Sequence, residues 1–306
     1  MKTGSSSLLE SFRLHYTGRV DAARSLALVE INDHNVHTLS WAGSVAAVAD
    51  KALTRGGFQD LGYVIAFGHA LRFDVAFFQP FLEVLPARVV TLKPRYFTIT
   101  REPWIWLRSL YQHVGERQFA SVGGLSAWVS GPGLASLASH YTLSLPSRVT
   151  QALTQWTEAH VEAPHTDVRD RPRGAKVFQT LSNVGDAATL LRLHSDVDWG
   201  TVEQHYAENY LVLCNEYYGL SLEVLSFALY GDVAVFREAK RMVHTTGTFS
   251  NLTQFDAETM RQLGPVIAPF QRLYGILFDA FVHSVTAATH DFGAHFSQPP
   301  PKRRLR

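Results

Sequence analysis

Cysteine is almost missing from this chain: among 306 residues, Cys214 carries the one thiol. That excludes an intrachain disulfide and any zinc site built on cysteines. Long apolar runs are missing too, since none reaches the roughly 18 residues that crossing a bilayer requires. No secretory signal peptide is read in the sequence. Excess charge of either sign is absent, because 28 basic and 27 acidic side chains leave a formal net charge of +1. A balance of that kind gives no long-range attraction to nucleic acid or to an acidic membrane surface. Low-complexity linkers and internal repeats are lacking until the tail "PPPKRRLR".

What is present is an ordinary globular composition, 46% hydrophobic and 18% charged. It is enough to bury a large core in one elaborated domain, taken as residues 1–296, with 297–306 as a disordered basic tail. Four short apolar runs, "LALVEI", "YVIAF", "YFTIT" and "YLVLC", read as strands, the last holding Cys214 as a small buried hydrophobe. Between them lie helical patterns: "WAGSVAAVADKAL", "DVAFFQPFLEVL", "EPWIWLRSLYQHV" with Pro103 in its first turn, and stretches near 148–161 and 187–193. A helix is also expected over 220–229, and a last one over about 257–285, interrupted near Pro265 and Pro269. The Gly/Ser-rich region 121–145 reads as a long loop. Apolar strands alternating with helices predict an α/β protein with a parallel sheet covered on both faces, whose ligands bind at the carboxyl ends of the strands.

Two stretches carry anion chemistry. The chain opens "MKTGSSSLLESF", a Gly/Ser loop feeding a helix that starts after Ser7. Free backbone N–H groups, hydroxyls and the positive end of a helix dipole converge in such a loop, and Lys2 adds a full charge. The alternative for this loop is a serine-rich disordered terminus. In the second stretch, "TITREPWIWLRS", Arg101 stands at the end of a strand and Ser109 follows eight residues later in the next helix. An arginine fork and a hydroxyl on one side suit a phosphate monoester. Arg101 is equally readable as a charge at the start of a helix, and Ser109 as a satisfied core hydroxyl.

The two stretches together resemble the phosphate-binding motifs of Golgi-type sulfotransferases: "KTGSSSL" their 5′-phosphosulfate loop and "REPWIWLRS" their 3′-phosphate motif. Three further stretches are similar to the galactose-3-O-sulfotransferases, the branch that includes the galactosylceramide enzyme. "FGHALRF" resembles an Asn-His-Met-Arg-Phe segment, "YLVLCNEYYGLSLEVLSFAL" a Leu-Val-Leu then Glu-Tyr-Phe-Asp-Glu-Ser-Leu segment, and "FQRLYGILFDAFVHSV" the closing helix. The order is kept across nearly the whole chain.

The resemblance implies a P-loop-like three-layer sandwich around a central parallel sheet. It also implies 3′-phosphoadenosine-5′-phosphosulfate (PAPS) as co-substrate, no metal, and a galactose-containing glycolipid or glycan as acceptor. Lys2, Thr3, Gly4, Ser5, Ser6 and Ser7 would hold the 5′-phosphosulfate, with Lys2 also acting in catalysis at the bridging oxygen. Arg101 and Ser109 would hold the 3′-phosphate. His69, directly after "YVIAF", would be the base that takes the acceptor proton, suited by an imidazole pKa near ~6.5. Arg72 would hold the acceptor or serve as a solvated charge. Lys240 and Arg241 would reach the 3′-phosphate or form a surface pair, and Trp104 and Trp106 would pack in the core or stack on a ring. Glu216 keeps an acidic position of the branch, whereas Gly219 and Leu220 stand where it has Asp and Glu, so acceptor choice should differ.

The family also implies the lumenal side of the Golgi membrane, where "NLT" at 251–253 would be a glycosylation sequon. The strand expected before Lys2 is not in the sequence. An N-terminally incomplete chain, lacking a strand, stem and membrane anchor, is therefore expected. A P-loop NTPase would need Gly-x-x-x-x-Gly-Lys-Ser/Thr, but Lys2 precedes Gly4 with no glycine upstream. Two alternatives stay open: a heparan-type 2-O-sulfotransferase, and a non-catalytic glycan-binding paralogue on the same fold.

Overall fold

A computed structural model describes Leu8, residues 96–111, Leu137, Tyr141, 144–146, Val149, 191–192, 194–234, Phe236, 255–299 and Pro301, and the backbone of 25–31 and 61–68. Strands β1 (Ser25–Ile31) and β2 (Leu61–Gly68) form one parallel pair, in register from Leu26 opposite Tyr63 to Ile31 opposite Gly68. Strands β3 (Tyr96–Thr100) and β4 (Tyr210–Cys214) form a second parallel pair, Tyr96 opposite Tyr210 and Thr100 opposite Cys214. All four lie where the apolar runs place them. Parallel partners need a long crossover, and the helices α1 (Pro103–Leu110) and α2 (Trp199–Asn209) lie within the one joining β3 to β4. After β4 a single 3-10 turn (Asn215–Tyr217) leads into α3 (Tyr218–Tyr230), which ends at Gly231, held at φ 72°.

The flush register fixes the end of the second pair. Since Thr100 and Cys214 are partners, the residues that leave the sheet together are Arg101 and Glu102 on one side, Asn215 and Glu216 on the other. Strand β4 is nearly all buried, with Val212, Leu213 and Cys214 at most 1% exposed. In β3 the most buried members are Thr98 and Thr100.

Helix α4 (Ala257–Phe292) runs for 36 residues against β4 and the other helices. Its buried positions, Val266, Phe270, Leu273, Leu277, Phe281 and Val285, recur at three- and four-residue spacing and make one apolar stripe. The sequence predicts an interruption near Pro265 and Pro269, but the helix continues through both. Each proline removes one N–H from the ladder, and such an interior position costs about 3 kcal/mol. Pro265 is on the exposed face, so water reaches the carbonyl it leaves unbonded, while Val266, Ile267 and Phe270 beside it pack into the core. The helix also extends past 285, to Gly293 at φ 64°, where the Ala294 N–H closes the end on the Ala288 carbonyl at 3.1 Å.

The start of α4 is held by Asp256, whose carboxylate accepts from the Thr259 N–H at 2.7 Å and from its hydroxyl at 2.8 Å. Asp256→Ala should lower stability by about 1 kcal/mol in urea denaturation, and Asp256→Asn should recover most of it. Equal stabilities of the three proteins would show that the cap contributes nothing.

Helix α2 covers WGTVEQHYAEN, a stretch where the sequence pattern predicts no element. Its faces are mostly polar, and Val202, His205 and Tyr206 are the positions it buries. The readable signal is Asp198, which caps it by accepting from Thr201 at 3.1 Å. Leu137 and Tyr141, four residues apart, are helical and buried, so the region read as a loop through 145 holds helical residues. Near the C-terminal boundary of the expected domain, the Ser297 N–H donates to buried Glu223 at 2.9 Å, and Pro301 is buried.

Candidate functional site

The carboxyl ends of β3 and β4 meet around one carboxylate. Glu216, in the turn after β4, accepts the Glu102 N–H on Oε1 at 3.0 Å. Its Oε2 accepts the Cys214 thiol at 3.1 Å and the Tyr274 hydroxyl of α4 at 3.5 Å. One side chain thus ties the β3–α1 turn, the end of β4 and the C-terminal helix together. The turn behind it is fixed by Ser221, whose hydroxyl accepts the Cys214 N–H and donates to the Cys214 carbonyl, both at 2.8 Å.

Glu102 caps α1 with its own side chain, Oε2 accepting the Ile105 N–H at 2.8 Å. With Pro103 next in sequence, one of the orphan N–H groups is absent and another is taken. The N-terminus of α1 is therefore satisfied internally, and anion binding here falls to the Arg101 side chain. Burial raises the Glu102 carboxyl above the usual carboxylate range, while the Ile105 and Trp104 N–H groups pull it back. Burial lowers the Arg101 guanidinium, and the charges of Glu216 and Glu102 oppose that change. A guanidinium starts so far above neutrality that Arg101 stays cationic.

Arg101 lines a cavity of about 50 Å³ whose wall also includes Thr100, Trp106, Tyr141, Phe270 and Tyr274. A water needs about 10–15 Å³ by such a measure, so the cavity takes a few waters or one compact group, not a nucleotide. Most of its described wall is aromatic or aliphatic, and among the described lining residues Arg101 is the one formally charged side chain. Tyr206 closes part of the wall and donates its hydroxyl to the Ser144 carbonyl.

Of the residues singled out in the sequence, Arg101 is at this cavity. Ser109 is buried in the last turn of α1 and does not line it. Trp106 is buried in the wall, whereas Trp104 is partly buried and packs edge-on against Phe255 at 4.9 Å between ring centres. Leu220 is 1% exposed, a core residue. Lys2, Thr3, Gly4, Ser5, Ser6, Ser7, His69, Arg72, Lys240 and Arg241 lie outside the described residues. Two neighbours of that group are described: Leu8 is helical and belongs to the buried core, and β2 ends at Gly68, next to His69. Among the described residues no group of three or more His, Cys, Asp or Glu side chains could hold a metal ion, and no helix is long and apolar enough to cross a membrane.

Sequence reasoning missed Tyr141 and Tyr274 as wall residues. Tyr274 is four positions from Phe270 and Phe278 on α4, and its ring stacks at a tilt on Phe278 at 5.9 Å. That spacing was visible, but nothing in it distinguishes a wall tyrosine from a core one.

The Cys214 thiol is pushed up to about 12, chiefly by burial and then by the charge of the Glu216 carboxylate, which accepts its hydrogen bond. At pH 7 its thiolate fraction is on the order of 10⁻⁵, so it is no nucleophile. Iodoacetamide should leave Cys214 unlabelled in the native protein and label it fully in urea, as read by intact mass. Labelling of the native protein at a rate like that of a free thiol would contradict this burial.

No family model, curated protein or solved structure matches the chain.

Proposed function

We propose that this chain is a PAPS-dependent carbohydrate sulfotransferase acting on a galactose-containing glycolipid or glycan. The observation that carries the reading is the position of Arg101. It leaves the carboxyl end of a parallel strand and lines a small cavity, where the sequence motif calls for a 3′-phosphate ligand. A cation at a strand's carboxyl end beside an opening of single-group size is what one phosphate of a larger nucleotide would need. The fit is to that phosphate alone, with the rest of the nucleotide lying beyond the cavity.

On this reading the fold is a P-loop-like sandwich, and Arg101 serves the 3′-phosphate, while Ser109, buried away from the cavity wall, packs within α1. The loop from Lys2 through Ser7 holds the 5′-phosphosulfate. The acceptor hydroxyl oxygen attacks sulfur while its proton passes to His69. The bond from sulfur to the bridging oxygen breaks, and its electron pair stays on the phosphate beside Lys2. Sulfuryl transfer of this kind depends on positioning and charge neutralisation. The protein would work on the lumenal side of the Golgi membrane.

A second reading, nucleotide binding without transfer, draws support from Leu220. It is buried in the core at a position where the resembled branch has a carboxylate, so no acceptor-binding acid stands there. Transfer of radiolabelled sulfate from PAPS to a panel of galactosides, run beside calorimetry with adenosine 3′,5′-bisphosphate, separates the two. Transfer supports the enzyme, and binding alone supports the paralogue. Neither binding nor transfer would refute the sulfotransferase reading.

A further inference from the structure

We propose that a phosphate monoester seated at Arg101 binds together with one proton, taken from solvent onto the Glu102 carboxyl. The inference rests on the sulfotransferase reading and adds to it a pH control of the same seat.

Charge at this seat is overbalanced before any ligand arrives. The charges that act on the Arg101 guanidinium, those of Glu216 and Glu102, are both negative, so one cation and two carboxylates sum to −1. The backbone keeps the two acids together. Thr100 pairs with Cys214 at the end of the sheet, and the Glu102 N–H then donates to Glu216 at 3.0 Å. A phosphate monoester brings a further charge of about −1.5 to −2 near neutral pH. Three anionic groups would then share one arginine in a partly buried place, where salt and water screen repulsion poorly. Helix α1 gives no relief, because Glu102 itself takes the Ile105 N–H at its start. Neutralising one carboxylate removes the conflict.

Hydrogen bonding decides which acid takes the proton. Glu216 accepts on both oxygens, the Glu102 N–H on Oε1, the Cys214 thiol and Tyr274 hydroxyl on Oε2. Donors on both oxygens favour the ionised form. The thiol, pushed up to about 12, and the tyrosine, raised well above its ordinary range by burial first, keep their own protons. Glu102 differs. Its Oε2 accepts the Ile105 N–H at 2.8 Å, and the Gln271 side chain of α4 also bonds the carboxyl. A glutamine amide both donates and accepts, so by turning over it serves the acid as it serves the carboxylate. Burial raises the Glu102 carboxyl and the Glu216 charge adds to this. A phosphate at Arg101 acts in the same direction as Glu216, and so draws the proton on.

The test is calorimetry with adenosine 3′,5′-bisphosphate at pH 7 in PIPES and in imidazole, whose different ionisation heats reveal protons taken up. At this pH the free ligand's phosphates are mostly dianionic and have few protons to release. Wild type should take up as much as about one proton per site, and Glu102→Gln, which keeps an oxygen for the Ile105 cap, clearly less. From pH 6.5 to 8 wild-type affinity should fall by up to about 10-fold relative to the variant, because proton and phosphate favour each other reciprocally. Adenosine 5′-monophosphate, lacking the 3′-phosphate, should show no such difference between the two proteins. Binding without net uptake by wild type would overturn the inference whatever the variant does. Equal uptake by both proteins, or the same difference with the monophosphate, would overturn it too. Each of these results leaves the sulfotransferase reading standing. A wild-type protein that binds neither nucleotide would remove both conclusions.

Discussion

Replacing Arg101 with alanine is expected to weaken binding of adenosine 3′,5′-bisphosphate by about 30- to 1,000-fold, the equivalent of roughly 2–4 kcal/mol. The guanidinium is partly buried at the cavity, so its bonds to a phosphate form away from bulk water, where charge-assisted pairs are strongest. Lysine should restore only part of the loss. A point charge replaces some of the attraction but not the planar fork that grips two oxygens. The ligand-free protein should also lose some stability, because the like charges of Glu102 and Glu216 would then lack the nearby cation that both attract. Calorimetry and melting curves on the same samples separate these effects. If Arg101→Ala binds the bisphosphate like wild type, the phosphate lies elsewhere.

The second large effect is on acid stability, and it centres on His194. This residue is 3% exposed, its ring is packed on Tyr141 and Phe270, and neither ring nitrogen has a hydrogen-bond partner. Burial lowers its pKa from 6.5 to about 4. The unfolded chain therefore takes up a proton near pH 6.5, while the native protein resists until about pH 4. The stability associated with neutral His194 is fully present above pH 6.5 and is lost progressively as pH falls toward 4, by about 3 kcal/mol in all. Urea denaturation at a series of pH values should show this slope in the wild type, and a flatter one in His194→Leu. At pH 7 the variant should stay within about 1 kcal/mol of wild type, because the buried nitrogens it removes were unpaired. Parallel slopes for the two proteins across that interval would assign the acid sensitivity to other groups.

The elements legible in the sequence are those whose local signals agree with their burial. "YLVLC" is apolar, β-branched in part and bounded by polar residues, and it became β4 at the positions read. "YFTIT" became β3, which puts Arg101 at the carboxyl end of a parallel pair, beside a small cavity. Failures came where tertiary context outweighed a local rule. Pro265 predicts a break by the local rule, yet its side of α4 faces water and its neighbours are anchored in the core. Helix α2 buries a histidine and a tyrosine rather than aliphatic residues, so its periodicity is faint. Glu216 shows the deepest limit. Its three donors come from positions 102, 214 and 274, and no window of sequence contains them together. The sequence marked it as an acid worth noting, and only the register of β3 against β4 explains why it stands beside Arg101.

That convergence on Glu216 also sets a timetable. The bond to Glu102 spans 114 residues and the one to Tyr274 spans 58. Contacts of such separation form late, after loop closure has been achieved by other means. At roughly 5–20 residues per second, a ribosome needs on the order of ten to thirty seconds to travel the about 170 residues from Arg101 to Tyr274. Arg101 and its strand thus emerge long before the groups that set their electrostatic surroundings. The carboxylate and the aromatic wall around Arg101 in the folded protein are complete only after Tyr274 has been made.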